Sequence, residues 1–310
     1  MRFLGIDTSN YTTSAALWQP SQMSMNTASK LLPVPQGAMG LRQSEAVFHH
    51  TQALHTMVAQ VCESAESPCA IGVSVQPRRE EGSYMPCFTV GKMVAHSLGS
   101  VLHVPVYEFS HQEGHIAAAA FGAKCEFLLE KPLIAFHVSG GTTEAVLVEP
   151  QRGGFSCKKI AGSLDLKAGQ AVDRVGGMLG LPFPAGKHLD PLALQGNLPK
   201  KPKGVFRGAD CCLSGIENQC KSLLDQGVPH EDIARFCMES IYEAIGGMTR
   251  ELIKEYGNLP LLYAGGVMSN SLLQKKLSEE FGGYFAPPVF SSDNAAGVAY
   301  LAWLKNEGKL

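Results

Sequence analysis

Apolar and polar positions alternate along this chain in short blocks. Residues 2–7 (RFLGID) form an apolar run, followed by the polar turn TSNYTT and a second apolar run, SAALW. That pattern predicts a β-hairpin. Residues 133–148 (LIAFHVSGGTTEAVLV) repeat it at an offset of 130 without a gap, pairing Ser9 with Ser139, Thr12 with Thr142, Thr13 with Thr143, Ala15 with Ala145 and Leu17 with Leu147. Between the hairpins the pattern predicts a helix over 44–63, a strand over 71–75 (IGVSV), an irregular loop QPRREEGSYMPC, a helix over FTVGKMVAHSLGSVL and a strand VPVYEF over 104–109. Beyond the second hairpin, 165–181 has helical spacing, and 181–204, rich in Pro, Gly and Lys, reads as a long surface loop. Residues 233–257 form an amphipathic helix pattern. Then come an apolar strand LPLLYA, a Gly-Gly turn, a helix from about Ser269, and a last helix capped by Ser292 or Asp293.

Strands and helices alternate in both halves, so the class is α/β. A repeated strand–loop–strand unit with a late strand–Gly-Gly–helix unit is the arrangement of the actin, sugar-kinase and Hsp70 ATPase (ASKHA) folds. It predicts two similar lobes, 1–108 joined by 292–310, and 109–291, with a nucleotide cleft between them.

Composition narrows the setting. The 310 residues are 45% hydrophobic and 17% charged, as in a globular enzyme. A net charge of −2 gives no overall basic field, so any RNA contact needs a local patch or a partner. MRFLGIDTSN lacks the basic and long apolar regions of a secretion signal, and no apolar run approaches a membrane span. The nine cysteines include no CxxC pair. Together these predict a cytoplasmic protein with reduced thiols.

Three places carry candidate chemistry. Ser139, Gly140, Gly141, Thr142 and Thr143 form a loop whose backbone N–H groups can approach an anion. It reads equally as an ordinary hairpin turn until the parallel loop, Asp7 to Thr13, tips it toward phosphate. Gly265, Gly266 and Asn270 follow an apolar strand and suit a ribose or flat ring, or simply a tight strand-to-helix turn. Asp173, among apolar neighbours, matters if its helix faces the cleft. His111 and His115 lie four apart on one helical face, with Ser110 as N-cap, at the spacing two metal-bound imidazoles need. Asp293 is the candidate third ligand, and iron and zinc both accept imidazole. The plain alternative is two polar residues on a first helical turn. Helix geometry argues against a zinc peptidase. Glu113 lies about 200° around the helix from His111, whereas the zinc-peptidase base directly follows the first His.

In order, GIDTSNYTTSAAL, HQEGHIAAAA, VSGGTTEAVLV, AGQAVDRVGGMLGLPFPAG, LSGI, AGGVMSN and SSDNAAGVAY resemble the TsaD family, the tRNA threonylcarbamoyladenosine transferase subunits, over nearly the whole chain. The resemblance implies one divalent metal (iron or zinc) on His111, His115 and Asp293. It implies a phosphate- and carbamoyl-binding loop at Ser139–Thr143, and adenosine and ribose contacts at Asp173, Gly186 and Asn270. The implied catalytic set is Ser139, Gly140, Gly141 and Asp7, with Thr142, Thr143, Gly265 and Gly266 on the nucleotide. The implied reaction moves threonylcarbamoyl from threonylcarbamoyl-AMP to N6 of adenosine 37 in ANN-decoding tRNA. TsaB-like and TsaE-like subunits would be partners, as a homo- or heterodimer, with a TsaC-like synthase supplying the intermediate.

The chain departs from that pattern where the family reads ETSCDET, GPGLVGAL and ASRxH. Here stand DTSNYTT, QPRREEGSYMPC and SEAVFHH. Two further expectations follow. A divergent paralogue would transfer a carbamoyl-type group to another acceptor, or bind nucleotide as a non-catalytic partner.

Overall fold

A computed structural model describes residues 1–9, 11–33, 41–63, 66–291 and 294–310. The chain divides into two compact units: 1–130 with 149–157 and 292–310, and 131–148 with 158–291.

The first unit contains β1 (Phe3–Ser9), β2 (Thr12–Gln19), β3 (Ser24–Leu31), α1 (Gln43–Cys62), β4 (Ala70–Gln76), α2 (Phe88–Leu102), β5 (Val106–Ser110), α3 (His111–Gly122) and the closing helix Asn294–Asn306. Its sheet runs β3-β2-β1-β4-β5. The hairpin pairs Phe3 with Trp18 through Ser9 with Thr12, and β4 joins β1 in parallel. Leu4, Ile6, Leu17, Leu54, Ile71 and Val73 form its core. The closing helix is rich in alanine and packs against both the sheet and α3. A Cβ on Gly297 would come within 1.8 Å of the Gly114 carbonyl oxygen, so the two helices touch backbone to backbone at that point. This packing puts α3 in the first unit, and the boundary expected after Glu108 falls after Glu130.

The second unit contains β6 (Leu133–Val138), β7 (Thr143–Gln151), β8 (Gly154–Gly162), α4 (Ala168–Met178), α5 (Gly186–Gln195), β9 (Val205–Arg207), β10 (Asp210–Cys212), α6 (Gly215–Asp225), α7 (His230–Tyr256), β11 (Leu261–Ala264), α8 (Ser271–Phe281) and β12 (Tyr284–Phe285). Its main sheet runs β12-β11-β6-β7-β8. Three consecutive strands at one side and two parallel crossover strands at the other reproduce the first sheet's order, and the duplicated hairpin is its visible trace in the sequence. A 27-residue helix, α7, supplies much of the core through Phe236, Ile241, Ile245 and Met248.

The stretch 181–204 is not one loop. Residues 186–195 form α5, with Leu189 and Ala193 four apart and buried, and Pro191 within the helix. One buried face outweighs the local signal of Pro and Gly, which is why composition misled there. The expected helix start near Ser269 is a 3₁₀ turn, Gly266–Ser269, before α8. All nine cysteines are free thiols. Among the described residues no helix is long and apolar enough to cross a membrane.

Candidate functional site

The first cluster grows from the end of β1 and the start of α3. The Ser110 side chain caps α3 by accepting from the Glu113 N–H at 3.2 Å, and Glu113 returns the contact by accepting from the Ser110 N–H at 2.7 Å. This capping box fixes the first turn, so His111 and His115 sit on one face with ring centroids 4.5 Å apart. Glu113 is buried and also accepts from Arg79 Nε at 3.0 Å. It thereby ties the first turn of the helix to the QPRREEGSYMPC loop. Asp7, at the end of β1, places Oδ2 2.8 Å from His111 Nδ1, while its Oδ1 accepts from the Ser9 N–H at 2.9 Å. Burial alone would raise the Asp7 carboxyl, but His111, Ser74 and the Ser9 N–H hold it below its ordinary value. Asp7 is thus an anion at neutral pH, and it fixes the orientation of the His111 ring through Nδ1. Two imidazoles on one helical face are donors a divalent cation accepts, and among the described residues no group of three or more His, Cys, Asp or Glu comes together as a metal site. Asp293, the expected third ligand, lies outside the described residues.

His50 of α1 is fully buried nearby, with Nδ1 2.8 Å from the Thr13 hydroxyl. Burial pushes its pKa down to about 4, against the pull of Asp7 and Ser9. It is neutral at physiological pH.

The second cluster lies wholly in the second unit. The loop after β6 is closed by the Ser139 N–H donating to the Thr142 carbonyl at 2.7 Å and the Thr142 N–H donating to Ser139 Oγ at 3.1 Å. Gly140 and Gly141 are exposed, and a Cβ on either would meet nothing. Their backbone is open to a ligand. Thr143 is buried, and its hydroxyl accepts from the Ala168 N–H at 2.9 Å at the start of α4. The Gly169 N–H donates to the Ser139 carbonyl at 3.1 Å, and a Cβ on Gly169 would strike the Gly140 nitrogen at 2.6 Å. The first turn of α4 therefore presses against the loop.

A cavity of 530 Å³ opens beside that loop. Gly140, Asp173, Gly186, Gly266 and Asn270 all line it. Five residues called from different parts of the sequence thus share one wall. Ser139, Gly141, Thr142, Thr143 and Gly265 do not line it. Gly265, at φ +101, instead packs on the Val138 carbonyl, with 2.2 Å to an added Cβ. Val172, Met238, Val267 and Pro288 supply apolar walls, and Lys187 and Asp190 join the polar residues. Asp173 Oδ1 accepts from the Ala185 N–H at 2.8 Å, fixing the entry to α5. Asp190 accepts from Asn270 Nδ2 at 2.7 Å and from the Ser271 hydroxyl at 2.9 Å. Asp190 was missed because its segment read as a loop. On a helix, its spacing of four from Gly186 would have placed both on one face. An apolar slot rimmed by a few carboxylate and amide groups can hold a flat ring with a hydroxylated sugar.

A family model described as TsaD, tRNA N6-adenosine threonylcarbamoyltransferase, matches residues 34–300. A protein of that description from Persephonella marina is 28% identical over 320 residues, covering 98% of this chain and 90% of its own. Another from Dictyoglomus turgidum is 30% identical over 317 residues, covering 96% and 91%. Among solved structures, HypF from T. kodakarensis matches with TM-score 0.62 at 13% identity, over 100% of this chain and 48% of its own. Component A of the Acidaminococcus fermentans (R)-2-hydroxyglutaryl-CoA dehydratase matches with TM-score 0.55 at 16% identity, covering 100% of both chains. A ROK-family glucokinase from Streptomyces griseus gives 0.54 at 13%, over 99% and 100%. These likenesses show the fold alone: the duplicated α/β architecture of the actin, sugar-kinase and Hsp70 class.

Proposed function

Since the chain belongs to the TsaD family of tRNA N6-adenosine threonylcarbamoyltransferases, and is a transferase with it, we propose that it transfers the threonylcarbamoyl group of threonylcarbamoyl-AMP to N6 of adenosine 37 in ANN-decoding tRNA. The observation that carries this reading is the second-unit cavity, where Gly140, Asp173, Gly186, Gly266 and Asn270 converge on a space of nucleoside size. Asp190 and Asn270 take the sugar hydroxyls, and the apolar walls take the base. The N–H groups of Gly140 and Gly141 stabilise the charge that develops as the acyl phosphate bond breaks.

His111 and His115 would hold a divalent cation through their ring nitrogens, with Asp7 orienting the first. Such a cation would supply Lewis-acid charge to an anionic ligand. The exocyclic amine of the acceptor adenosine forms its bond to the carbamoyl carbon as the bond from that carbon to the phosphate oxygen breaks; AMP leaves with the electron pair, and the amine proton passes to the released phosphate or to water.

One observation favours a second reading. The 76–87 segment, so unlike the family's glycine loop, is anchored by the Arg79–Glu113 ion pair. A loop so fixed would present a different acceptor with a carbamoyl-type group. Complementation of a strain depleted of its own transferase, with tRNA nucleosides read by mass spectrometry, decides between them. Restored threonylcarbamoyladenosine supports the tRNA reading. Good expression without it removes that reading.

A further inference from the structure

A chain of net charge −2 has no global attraction for a polyanion. The residues that follow the cavity's own helix do. Segment 197–208 reads NLPKKPKGVFRG, with Lys200, Lys201, Lys203 and Arg207 and no acid. Every residue in it except Pro202 is exposed. Among the described residues none of the four cations forms an ion pair with a carboxylate, and Lys200 Nζ lies 5.1 Å from the centre of the Phe236 ring. Unpaired cations grouped this closely repel one another, so the grouping costs stability unless an anion offsets it. Val205 and Phe206, 59% and 40% exposed, lie among them.

The segment is held firmly at both ends. The Asn197 N–H donates to Asp232 at 2.6 Å. At the far end β9 pairs with β10, Arg207 opposite Asp210, and Asp210 accepts from the Gly162 N–H at 2.7 Å. The Phe206 ring packs over Gly247 of α7, where an added Cβ would come within 2.1 Å. The ten residues of α5 link this arm to Gly186 at the cavity, a span of about 15 Å. The arm is thus a fixed basic surface carried by the same unit as the cavity.

We propose that the arm 197–208 is an RNA docking surface, with Lys200, Lys201, Lys203 and Arg207 contacting backbone phosphates of the acceptor. The proposal rests on the tRNA reading above and names where this chain grips that substrate. RNA is favoured over an acidic protein because four exposed cations within eight residues match the closely spaced charges of a phosphate backbone, whose neutralisation releases counterions.

The test is binding of the purified full-length chain to an unmodified tRNA transcript across a salt series. In a variant carrying Lys200→Gln, Lys201→Gln, Lys203→Gln and Arg207→Gln, affinity should fall about tenfold or more. The slope of log affinity against log salt should shrink by about 3, as expected for loss of four phosphate contacts. Retained AMP binding would show that the variant is folded. A control with Lys221→Gln and Lys275→Gln, both exposed on the same unit, should bind like wild type. Wild-type protein without salt-dependent tRNA binding, or an arm variant with unchanged affinity and slope, overturns the proposal. So does a variant that loses only polyglutamate binding, which would mark an acidic protein partner. Arm-dependent tRNA binding together with failed complementation at good expression would instead defeat the transfer reading and leave the arm standing.

Discussion

The Asp7 carboxylate lies 2.8 Å from His111 Nδ1, joining the end of the first strand to the first residue of α3 across 104 positions of sequence. A carboxylate in that position sets the imidazole's tautomer and orientation and raises its basicity as a ligand. Asp7→Ala is therefore expected to weaken divalent-metal binding by about 10- to 100-fold. His111→Ala with His115→Ala should abolish it. Competition titration with a chromophoric chelator reads both. Wild-type affinity in the Asp7 variant would show that His111 needs no such partner.

His50 gives a pH dependence with a definite sign. Its folded pKa, about 4, is below the ordinary 6.5 because burial penalises the cation. The folded state thus prefers the neutral ring. Its contribution to stability is complete above pH 6.5 and is lost as pH falls toward 4, with a slope of up to about 1.4 kcal/mol per pH unit. Urea denaturation at pH 7 and pH 4.5 should show a smaller loss for His50→Gln, which can keep a hydrogen bond to Thr13 but cannot titrate. Equal acid sensitivity in both proteins would place the titration elsewhere.

The hydrophobic pattern carried the two hairpins, and with them the duplication, because strand pairing depends on local alternation that a linear reading sees. It carried the histidine spacing for the same reason, since residues four apart meet on any helix. It could not carry contacts made by distant elements. The Thr143 hydroxyl accepts from the Ala168 N–H, a partner 25 positions away that no local pattern announces. Asp190 lay hidden in a segment whose proline and glycine concealed a helix stabilised by packing. Glu113 was argued away from the metal on helical phase alone. The Arg79 contact, which only the fold reveals, gives Glu113 its partner.

Gly169 tests how closely α4 supports the anion loop. An added Cβ meets the Gly140 backbone at 2.6 Å, and backbone yields less readily than a flexible side-chain end. Gly169→Ala should displace the loop and destabilise the protein by about 1–3 kcal/mol, with a larger proportional loss of AMP affinity. Gly177→Ala, on the same helix and with nothing within 4 Å, is the matched control and should leave both unchanged. Calorimetric AMP titration and thermal melts separate the two effects. An intact AMP affinity in Gly169→Ala would mean that the loop's position does not matter to the nucleotide.

Asn270 has two separable tasks. Its Oδ1 accepts from the Leu273 N–H at 3.0 Å and caps α8, while its Nδ2 donates to Asp190 at 2.7 Å at the cavity wall. Serine caps a helix about as well as asparagine but is too short to keep the Asp190 contact. Asn270→Ser should therefore melt within a few degrees of wild type yet bind AMP about tenfold more weakly, since a bond to a charged group is worth about 1.5–3 kcal/mol. Asn270→Ala should lose the cap as well, at about 1 kcal/mol of stability. Asn270→Asp keeps the cap but sets two carboxylates together, so it should bind AMP worst of the three and recover partly as pH is lowered toward carboxylate protonation. If Asn270→Ser bound AMP like wild type, the amide would be a helix cap alone, and the Asp190 pairing would have no part in holding the ligand.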